Sequence, residues 1–515
     1  MEQVSQARGS TPRRRRSIRV LGAALLTALV LGGAVPYVTG ASGSYLSYLV
    51  LDQRTDADGA RHAADEARAL GGQVVQDYPQ IGAVLAYASG SFADKLRERP
   101  GIAAVGATRT AAVPSPPRPL AGAAFGHGVV SAAAKAADAA DDSTATLPDP
   151  AEQSDWNLAM IGATDRATGY SALLRAPVVD QSSVHTAARP GALPGPQQLA
   201  KVTVAVLDSG VDDTHPDLRA AVDPTASASC ADGRPDSRSG AWRPDPGVTE
   251  SGHGTHVAGI VGAARDGHGV TGVAAGVRIA AVRLLGPLGQ YYAENIVCGM
   301  IWAADHGAKA INDSYFADPW KYNCPENADQ AALIAAVGRA VAYAQHKGAV
   351  VVASAGNDGQ DLTAGRADHR SPNDRASGPP QDRDLGTECI RLPGELPGVV
   401  TVSAVDRRGL PTSYSNYGRG KISIAAPGGD PDGGPASAIV SDWPGGQYAA
   451  LAGTSMSAAH VTGAVAVVAA EHPDWGPDRI TTALAQAAAA GCGQLLPVGC
   501  QDREFYGAGV LDLPR

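Results

Sequence analysis

Three residues whose side chains can together perform acyl transfer stand at the ends or starts of apolar segments. Asp208 ends the run VTVAVLD, His253 lies in SGHGTHVAG ahead of an apolar helix, and Ser455 lies in GTSMSAAHVTG at the start of another. In nucleophilic catalysis a serine oxygen attacks a carbonyl, a histidine takes and returns the proton, and a carboxylate fixes the histidine tautomer. These residues therefore predict a hydrolase that works through an acyl-enzyme intermediate.

A fourth residue can serve the same chemistry as a hydrogen-bond donor. Asn357 ends the apolar run AVVVASAGN, and its side-chain N–H₂ can stabilise the oxyanion of a tetrahedral intermediate. Taken singly, each residue has a simpler explanation: a turn-forming Asp, a helix-capping Ser, or a metal pair of His253 with His256. The metal pair lacks the intervening Glu of zinc proteases, so we interpret His256 as structural. The co-occurrence of all four favours catalysis.

The apolar segments predict the elements that position these residues. VTVAVLD and AVVVASAG are continuous apolar runs, as expected of parallel strands buried on both faces. ENIVCGMIWAADHG and AALIAAVGRAVAYAQHKG are helical and end at Gly. Residues 152–515 are therefore predicted to form an α/β domain with a doubly wound, mainly parallel sheet. In such sheets the site lies at the carboxyl ends of the strands.

The first 41 residues have the pattern of an export signal. The basic cluster RRRRSIR precedes the uncharged stretch Val20–Val38 and a group of small residues. The apolar core of about fourteen residues is shorter than the roughly twenty that span a membrane. Residues 1–41 are predicted to be a signal peptide, and the protein to be secreted, extracellular and free of the membrane after signal removal. An uncleaved membrane anchor is the alternative.

Two further segments precede the α/β domain. Residues 44–111 alternate in the order β-α-β-β-α-β, which predicts a small α+β domain of ferredoxin-like arrangement. Residues 112–151 are rich in Ala and Pro and cannot bury enough apolar surface to order themselves, so they are predicted to be a linker.

Composition narrows the classes of function. The chain has 515 residues, 42 Lys+Arg and 51 Asp+Glu, for a formal net charge of −9. A net negative charge does not favour binding to the negatively charged backbone of nucleic acid. All six cysteines lie between residues 230 and 500 without CxxC spacing, so three disulfides are expected rather than a zinc site. The pairs we expect are Cys492–Cys500, Cys324–Cys389 and, by remainder, Cys230–Cys298, with a free thiol at Cys298 as the alternative.

The segments DSGVDDTHPDL, SGHGTHVAG, SAGN and GTSMSAAHVTG, in that order, resemble the subtilisin family of serine proteases. The resemblance covers about 152–515, and 44–111 is similar to the inhibitory propeptide of the family. It implies a triad of Asp208, His253 and Ser455, with Asn357 as the oxyanion donor. It also implies a self-processing precursor, or zymogen, first cut near 108–113. Polypeptides would be its substrates, its own propeptide its inhibitor, and a monomer its expected state.

Two departures from the family pattern concern the substrate and the nucleophile helix. Ala459 replaces a family Pro, which alters a first helical turn little. The family strand Asn-x-Ser-Leu-Gly is INDSYF here, so aromatic residues stand where a small residue walls the first specificity pocket. An aromatic wall should narrow or reshape that pocket. The resemblance assigns substrate binding to Ser314, Tyr315, Phe316, Ser354 and Gly356.

Cofactor requirements are inferred from the same resemblance. The chemistry needs no cofactor, but many family members bind a structural calcium. Asp217 and Asp266 match the family's carboxylate ligands, with the carbonyls of Ala264, His268 and Val270 as further oxygens. Calcium takes six to eight oxygen ligands, and the Gly-rich loop RDGHGVTG can supply several. A solvated Asp in a turn is the alternative.

Three other functions are weighed against a general endopeptidase. An α/β-hydrolase lipase or esterase needs G-x-S-x-G and the order Ser, Asp, His, which this chain lacks. A catalytically inactive binding module is disfavoured by the intact set of four residues. A dedicated maturation protease that cuts one peptide partner would use identical chemistry and stays open.

Overall fold

The computed structural model describes residues 45–113, 155–164, 193–248, 251–374, 381–492, 500 and 502–514. These residues belong to one compact unit, Gly43–Arg515. The predicted signal peptide and nearly all of the predicted linker lie outside the described residues. Among the described residues no helix is both long enough and apolar enough to span a bilayer.

The N-terminal module (residues 45–113) has the element order expected from the sequence. Its elements are β1 (Leu46–Asp52), α1 (Ala57–Ala69), β2 (Gln73–Tyr78), β3 (Ala83–Ala88), α2 (Phe92–Arg97) and β4 (Ile102–Ala107). The four strands form one antiparallel sheet in the order β2-β3-β1-β4. Asp56 caps α1 by accepting a hydrogen bond from the amide of Gly59.

The remaining elements form the larger α/β part of the molecule. Its helices are α3 (Trp156–Met160), α4 (Pro196–Leu199), α5 (His253–Gly262), α6 (Ala293–Asp305), α7 (Ala328–His346), α8 (Thr454–Glu471), α9 (Pro477–Gly491) and α10 (Arg503–Tyr506), with 3₁₀ turns at Pro431–Gly433 and Pro435–Ser437. Its strands are β5 (Thr203–Asp208), β6 (Ala228–Ser229), β7 (Arg278–Arg283), β8 (Ala310–Asp313), β9 (Val350–Ser354), β10 (Arg366–Asp368), β11 (Arg383–Leu385), β12 (Val400–Val405), β13 (Ile424–Pro427), β14 (Ile439–Trp443) and β15 (Gln447–Leu451).

A seven-stranded parallel sheet organises this part in the order β13-β12-β9-β8-β5-β7-β6. The side chains of β5, TVAVLD, are all buried, as their continuous apolar run predicts. Helices α5, α8 and α9 contribute to the hydrophobic cluster on one face, and α6 and α7 to the cluster on the other. Helix α8 is buried from Thr454 to Ala470 because it crosses the centre of the sheet. The predicted doubly wound α/β fold is confirmed.

The N-terminal module packs on α6 and α7. Leu49, Leu85 and Tyr87 from its sheet join one buried cluster with Ile296 of α6 and Val337 of α7. Strand β4 approaches α7 so closely that a Cβ on Gly106 would collide with the backbone carbonyl of Asp329. The module therefore shares a hydrophobic core with the larger part of the chain.

The cysteines pair as expected. Disulfides join Cys230 to Cys298, Cys324 to Cys389 and Cys492 to Cys500, and there is no free cysteine. The pairing predicted from the sequence is confirmed, and a free thiol at Cys298 is excluded. The Cys230–Cys298 bridge ties the segment after β6 to α6 across 68 residues of sequence. The Cys324–Cys389 bridge joins two loops that are 65 residues apart.

Candidate active site

Asp208 and His253 meet at the carboxyl end of the central strand. Asp208 is the last residue of β5, and its side chain is only 1% exposed. His253 is the first residue of α5, and its Nδ1 lies 2.8 Å and 3.0 Å from the two carboxylate oxygens of Asp208. The amide of Ser209 also donates to Oδ1 of Asp208, at 2.6 Å. A carboxylate so held keeps the hydrogen on Nδ1 and leaves Nε2 as the basic nitrogen.

Ser455 occupies the first turn of α8, where the first backbone amides of a helix lack the usual i−4 carbonyl partner and give the helix end a partial positive charge. Ser455 is buried, with 8% of the residue exposed. Oγ of Ser455 donates to the carbonyl of Ser314, and Oγ of Ser314 donates to the carbonyl of Ser455, both at 3.3 Å. These reciprocal bonds fix the first turn of α8 against the loop that follows β8.

Asn357 follows β9 with an exposed side chain whose orientation is fixed by its neighbour. Its Oδ1 accepts from the amide and from the hydroxyl of Thr454, at 2.9 Å and 2.7 Å. Because the oxygen has two donors, the N–H₂ group must occupy the other side of the amide. Nδ2 lies 3.2 Å from where a Cβ on Gly453 would stand, so Gly453 leaves room beside it. The N–H₂ donor of Asn357 therefore lies next to Gly453, the residue that precedes α8.

The segment expected to wall the specificity pocket carries a buried aromatic stack. The ring of Tyr315 stacks on that of Tyr291, with centroids 4.9 Å apart and planes 10° apart. The amide of Tyr291 donates to Asp318 at 2.5 Å, and its carbonyl accepts from the Asp318 amide at 2.9 Å. Phe316 lies under the guanidinium of Arg391, which is 5.2 Å from the ring centroid. The loop that holds Tyr291 and the segment that follows β8 are therefore joined by aromatic and backbone contacts.

Ser354 and Gly356, also expected to bind substrate, are both buried. Ser354 ends β9 beside β12. Gly356 has a φ of 105°, a left-handed conformation that favours glycine. Its amide donates to the Thr454 hydroxyl at 3.1 Å, so this turn is bonded to the start of α8.

A second buried carboxyl group, Asp313, lies beside the first. Parallel pairing of β5 with β8 places Asp313 opposite Leu207, one residue before Asp208. The hydroxyl of Tyr315 donates to Asp313. Burial raises the pKa of Asp313 to about 7; the Tyr315 hydrogen bond opposes the shift, and the nearby Asp208 charge adds to it.

A polar pocket of about 590 Å³ adjoins Asn357. An ion pair between Lys321 and Asp358, at 2.5 Å, lies in its wall. The pocket is lined by Lys321, Asn357, Asp358, Gln360, Ala367, His369, Arg370, Ser413 and Tyr414. The pocket beside Asn357, the expected oxyanion donor, is thus lined mainly by charged and polar groups.

Two other histidines near the site are buried and neutral. Nε2 of His256 lies 3.1 Å from the carbonyls of Ile439 and Ala449, and His460 contacts Asn157 and the Met456 carbonyl. Burial lowers the pKa of His256 to about 3 and that of His460 to about 4. Both histidines have structural environments, in line with the interpretation of His256 from the sequence.

The residues expected to bind calcium lie close together only in part. Oδ2 of Asp217 accepts from the amide of Val270 at 3.1 Å, and the Ala264 amide donates to the Asp217 carbonyl at 2.9 Å. Asp266 is exposed, and its Oδ1 accepts from the amide of His268 at 3.2 Å. The loop thus directs amide donors at Asp217, and the oxygen of Asp217 that remains for a cation is Oδ1.

Comparisons with known proteins identify the family. The model of the Subtilase family (Peptidase_S8) matches residues 200–509. The chain is 30% identical over 311 residues to the M-protease of Shouchella clausii, covering 60% of this chain and 63% of that protein. It is 32% identical over 287 residues to Subtilisin Savinase of Lederbergia lenta, covering 56% and 83%. The chain therefore belongs to the subtilase family, whose members are serine-type endopeptidases needing no cofactor for catalysis.

Solved structures share the fold over most of the chain. The epidermin leader peptide processing serine protease of Staphylococcus aureus superposes with a TM-score of 0.62 at 20% identity, covering 91% of this chain and 98% of that one. Fervidolysin of Fervidobacterium pennivorans, a keratinolytic enzyme, gives 0.58 at 24% identity, covering 92% and 60%. At these identities the likeness concerns the fold.

Sequence reasoning missed Tyr291, Asp313 and Asp318. Asp313 lies within INDSYF, the segment that departs from the family pattern. An acidic residue next to the expected substrate-binding residues is the sequence feature that could have pointed to it. Tyr291 and Asp318 stand in loops that no strand-end or helix-start pattern marks.

Proposed function

We propose that the chain is a secreted serine endopeptidase whose triad is Asp208, His253 and Ser455. The observation that carries the proposal is the contact of both Asp208 carboxylate oxygens with Nδ1 of His253. Helix α5, which begins at His253, packs against α8, whose first turn holds Ser455. The basic and apolar N-terminal sequence supports export.

The proposed reaction needs only groups of this chain and water. Nε2 of His253 takes the proton of Ser455 as Oγ bonds to the peptide carbonyl carbon. Asn357 donates to the resulting oxyanion. The proton then passes to the leaving nitrogen, the C–N bond breaks, and an acyl-enzyme remains. Water attacks the ester by the same proton path and regenerates Ser455.

Labelling with a fluorophosphonate tests this assignment directly. Ser455→Ala should lose both labelling and peptide cleavage, because the only proposed nucleophile is gone. Ser457→Ala is the matched control: it removes a buried hydroxyl two residues along the same helix, one that bonds the Ala426 carbonyl. Labelling of Ser455→Ala at the parent rate, at a different serine, would overturn the triad.

We further propose that the N-terminal module is an inhibitory propeptide in a self-processing precursor. Support comes from the segment after β4, which is held by carboxylates of the larger part. Asp329 accepts from the Ala107 amide at 3.1 Å. Asp374 accepts from the amides of Thr110 and Ala111 at 2.7 Å and 2.9 Å.

Among the carboxylates that the module contacts, Glu294 is the most buried. Its Oε1 accepts from Nε of Arg109 at 2.7 Å and from the hydroxyl of Ser47 at 3.3 Å. The guanidinium of Arg109 also lies over the ring of Tyr292, 4.1 Å from its centroid. Burying a charge is costly unless it is paired. Arg109 is thus the residue through which the module neutralises Glu294, and it lies close to the predicted cut near 108–113.

A narrow specificity, as in a dedicated maturation protease, is the second candidate. The observation that favours it is the stack of Tyr291 on Tyr315 and the bonding of Tyr291 to Asp318. Backbone groups that are already paired are not free to bind an extended peptide. A substrate would have to displace these contacts, which few sequences could do. A cleavage profile on a peptide library separates this candidate from a general digestive protease.

Three further features are proposed on the sequence and the family. Structural calcium at the loop 264–270 would use Asp217, whose Oδ1 is the available oxygen. Polypeptides would be the substrates, with no nucleic-acid or membrane partner. The mature enzyme would act outside the cell as a monomer.

A further inference from the structure

A buried arginine lies between the two segments that are expected to bind substrate. Arg391 is only 6% exposed, and its Nη2 donates to the carbonyl of Tyr315 at 3.2 Å. Its guanidinium lies over the ring of Phe316, 5.2 Å from the centroid. In the second segment, a Cβ on Gly356 would stand 2.9 Å from Nη1 of Arg391. The two Nη groups are therefore directed at the segment after β8 and at the turn after β9.

The guanidinium of Arg391 has a positive charge without a counter-ion. Within the part of the chain that the structure describes, its only hydrogen bond is to the Tyr315 carbonyl, and its buried Nε has no partner at all. Burial lowers its pKa below the ordinary arginine value. A buried cation that lacks an ion pair is costly, so an anion that reached it would be bound favourably.

Glu395, one of the three acidic residues near this cation, is already fully bonded. Its Oε1 accepts from Nη2 of Arg366 at 2.7 Å and from Nζ of Lys421 at 3.1 Å. Its Oε2 accepts from Nη1 of Arg366 at 2.7 Å and from the backbone amide of Arg391 at 2.9 Å. The charge of Glu395 is thus paired with two other cations.

The other two acidic neighbours, Asp358 and Asp318, are also engaged elsewhere. Asp358 pairs with Nζ of Lys321 at 2.5 Å. Asp318 accepts from the amide of Tyr291 and from Nδ2 of Asn373, at 2.5 Å and 2.6 Å. A carboxylate that entered between the substrate-binding segments would therefore meet one unpaired positive charge and negative charges that already have partners.

We propose that Arg391 selects substrates in which the residue before the scissile bond is acidic, Glu or Asp. This proposal rests on the serine endopeptidase function proposed above. A carboxylate is the side-chain group that can accept two parallel hydrogen bonds from a guanidinium. The contacts with Tyr315 and Phe316 hold the guanidinium in one orientation before substrate arrives, which reduces the entropy cost of binding.

The same environment disfavours other side chains at this position. A Lys or Arg of the substrate would place two like charges together in a desolvated space. A Leu would cover the cation without supplying an acceptor. A Gln has the shape of Glu but no charge, so the comparison of Glu with Gln isolates the effect of the charge on Arg391.

Peptides that differ only in the residue before the scissile bond test the proposal. Five peptides carry Glu, Asp, Gln, Leu or Lys there, and kcat/KM is measured for each with the purified protein. We expect the Glu or the Asp peptide to exceed the Gln peptide at least tenfold, because a site built to bond a charged group rejects analogues that lack it.

Variants assign the preference to one residue. Arg391→Met keeps a long side chain without the charge, and its Glu to Gln ratio should fall towards one. Arg391→Lys keeps the charge without the planar fork, so it should retain part of the ratio. Arg408→Gln is the matched control, since the Arg408 side chain is 71% exposed and pairs with Asp406; it should keep the parent ratio.

The ratio of the parent protein decides the proposal even where a variant does not fold. A parent that cleaves the Gln or the Leu peptide as fast as the acidic ones overturns it, and so does an unchanged ratio in Arg391→Met. Fluorophosphonate labelling separates this failure from that of the proposed function. Labelled protein that shows no preference for an acidic residue, or that cleaves none of the five peptides, removes only the role of Arg391. Protein that is neither labelled nor active removes both.

Discussion

The hydroxyl of Tyr291 lies 3.4 Å from Oδ1 of Asp208, the same oxygen that is 2.8 Å from Nδ1 of His253. A residue from the edge of the cleft thus contacts the carboxylate that orients the proposed base. Tyr291 is at the same time stacked on Tyr315 and bonded to Asp318. The aromatic stack at the proposed substrate-binding segment and the carboxylate of the proposed triad are therefore connected through one side chain.

Two substitutions of Tyr291 should separate these roles. Tyr291→Phe keeps the stack and loses a long hydrogen bond to a charged group, so kcat should fall only about two- to fivefold. Tyr291→Ala also opens the cleft and should broaden the cleavage profile on a peptide library. An unchanged profile for Tyr291→Ala would argue against the aromatic stack as a determinant of specificity.

The buried carboxyl of Asp313 should make stability depend on pH. Its pKa is about 7 in the folded protein, against the ordinary aspartate value of 3.8, so folding favours its protonated form. That contribution is complete below pH 4 and is lost as pH rises through 7. Asp313→Asn removes the loss, and each pKa unit is worth about 1.4 kcal/mol.

Between pH 4 and pH 8 the parent should lose on the order of 2–4 kcal/mol of unfolding free energy through Asp313. Asp313→Asn lacks this loss, so its stability relative to the parent should rise by that amount from pH 4 to pH 8. Denaturant melts of Ser455→Ala protein at the two pH values measure this without self-digestion. A variant equally destabilised at both would show that Asp313 is ionised throughout or that the amide disrupts the Tyr315 contact.

Acid should destabilise the fold through its buried histidines. The pKa of His460 is about 4 in the folded protein, against the ordinary histidine value of 6.5, and that of His256 is about 3. Stability from these neutral rings is present above pH 6.5 and is lost as pH falls towards 4 and 3. Between pH 7 and 4.5, His460→Gln should lose about 2 kcal/mol less than the parent.

An exposed histidine provides the control for that experiment. The side chain of His369 is 67% exposed, so His369→Gln should follow the parent curve. If His460→Gln and the parent show the same slope between pH 7 and 4.5, burial of His460 is not a source of acid lability.

The proposed propeptide makes a prediction about inhibition. Segment 44–111, added to the mature enzyme, should inhibit it at micromolar concentration. The same segment with Arg109→Ala should inhibit at least tenfold more weakly, because Glu294 would stay buried without its cation. Arg61→Ala is the control, since among the described residues Arg61 pairs only with Asp58 of its own helix, on the exposed surface.

Full-length protein gives a second readout of the same proposal. The parent should release the module by cleavage near residues 108–113, and Ser455→Ala should stay uncut, as N-terminal sequencing would show. Equal inhibition by the parent and Arg109→Ala segments would remove Arg109 from the interface. No inhibition by either segment, together with cleavage elsewhere, would contradict the propeptide assignment.

The sequence alone determined the features that depend on neighbouring residues. Apolar runs ending in Asp208 and leading to Asn357 predicted buried parallel strands, and the carboxyl ends of such strands must share one edge of the sheet. The start of an apolar helix at Ser455 followed from the same local pattern. The order β-α-β-β-α-β of residues 44–111 and the three disulfide pairs were likewise predictable.

Only the tertiary structure decided which distant groups meet. Tyr291 is 83 residues from Asp208, and Ser47 is 247 residues from Glu294. Asp313 comes beside Asp208 because parallel strands β5 and β8 pair in one register, with Leu207 opposite Asp313. Local patterns set the element in which a residue lies. Burial, and hence pKa and unpaired polar atoms, arises from long-range packing of side chains, which no local pattern encodes.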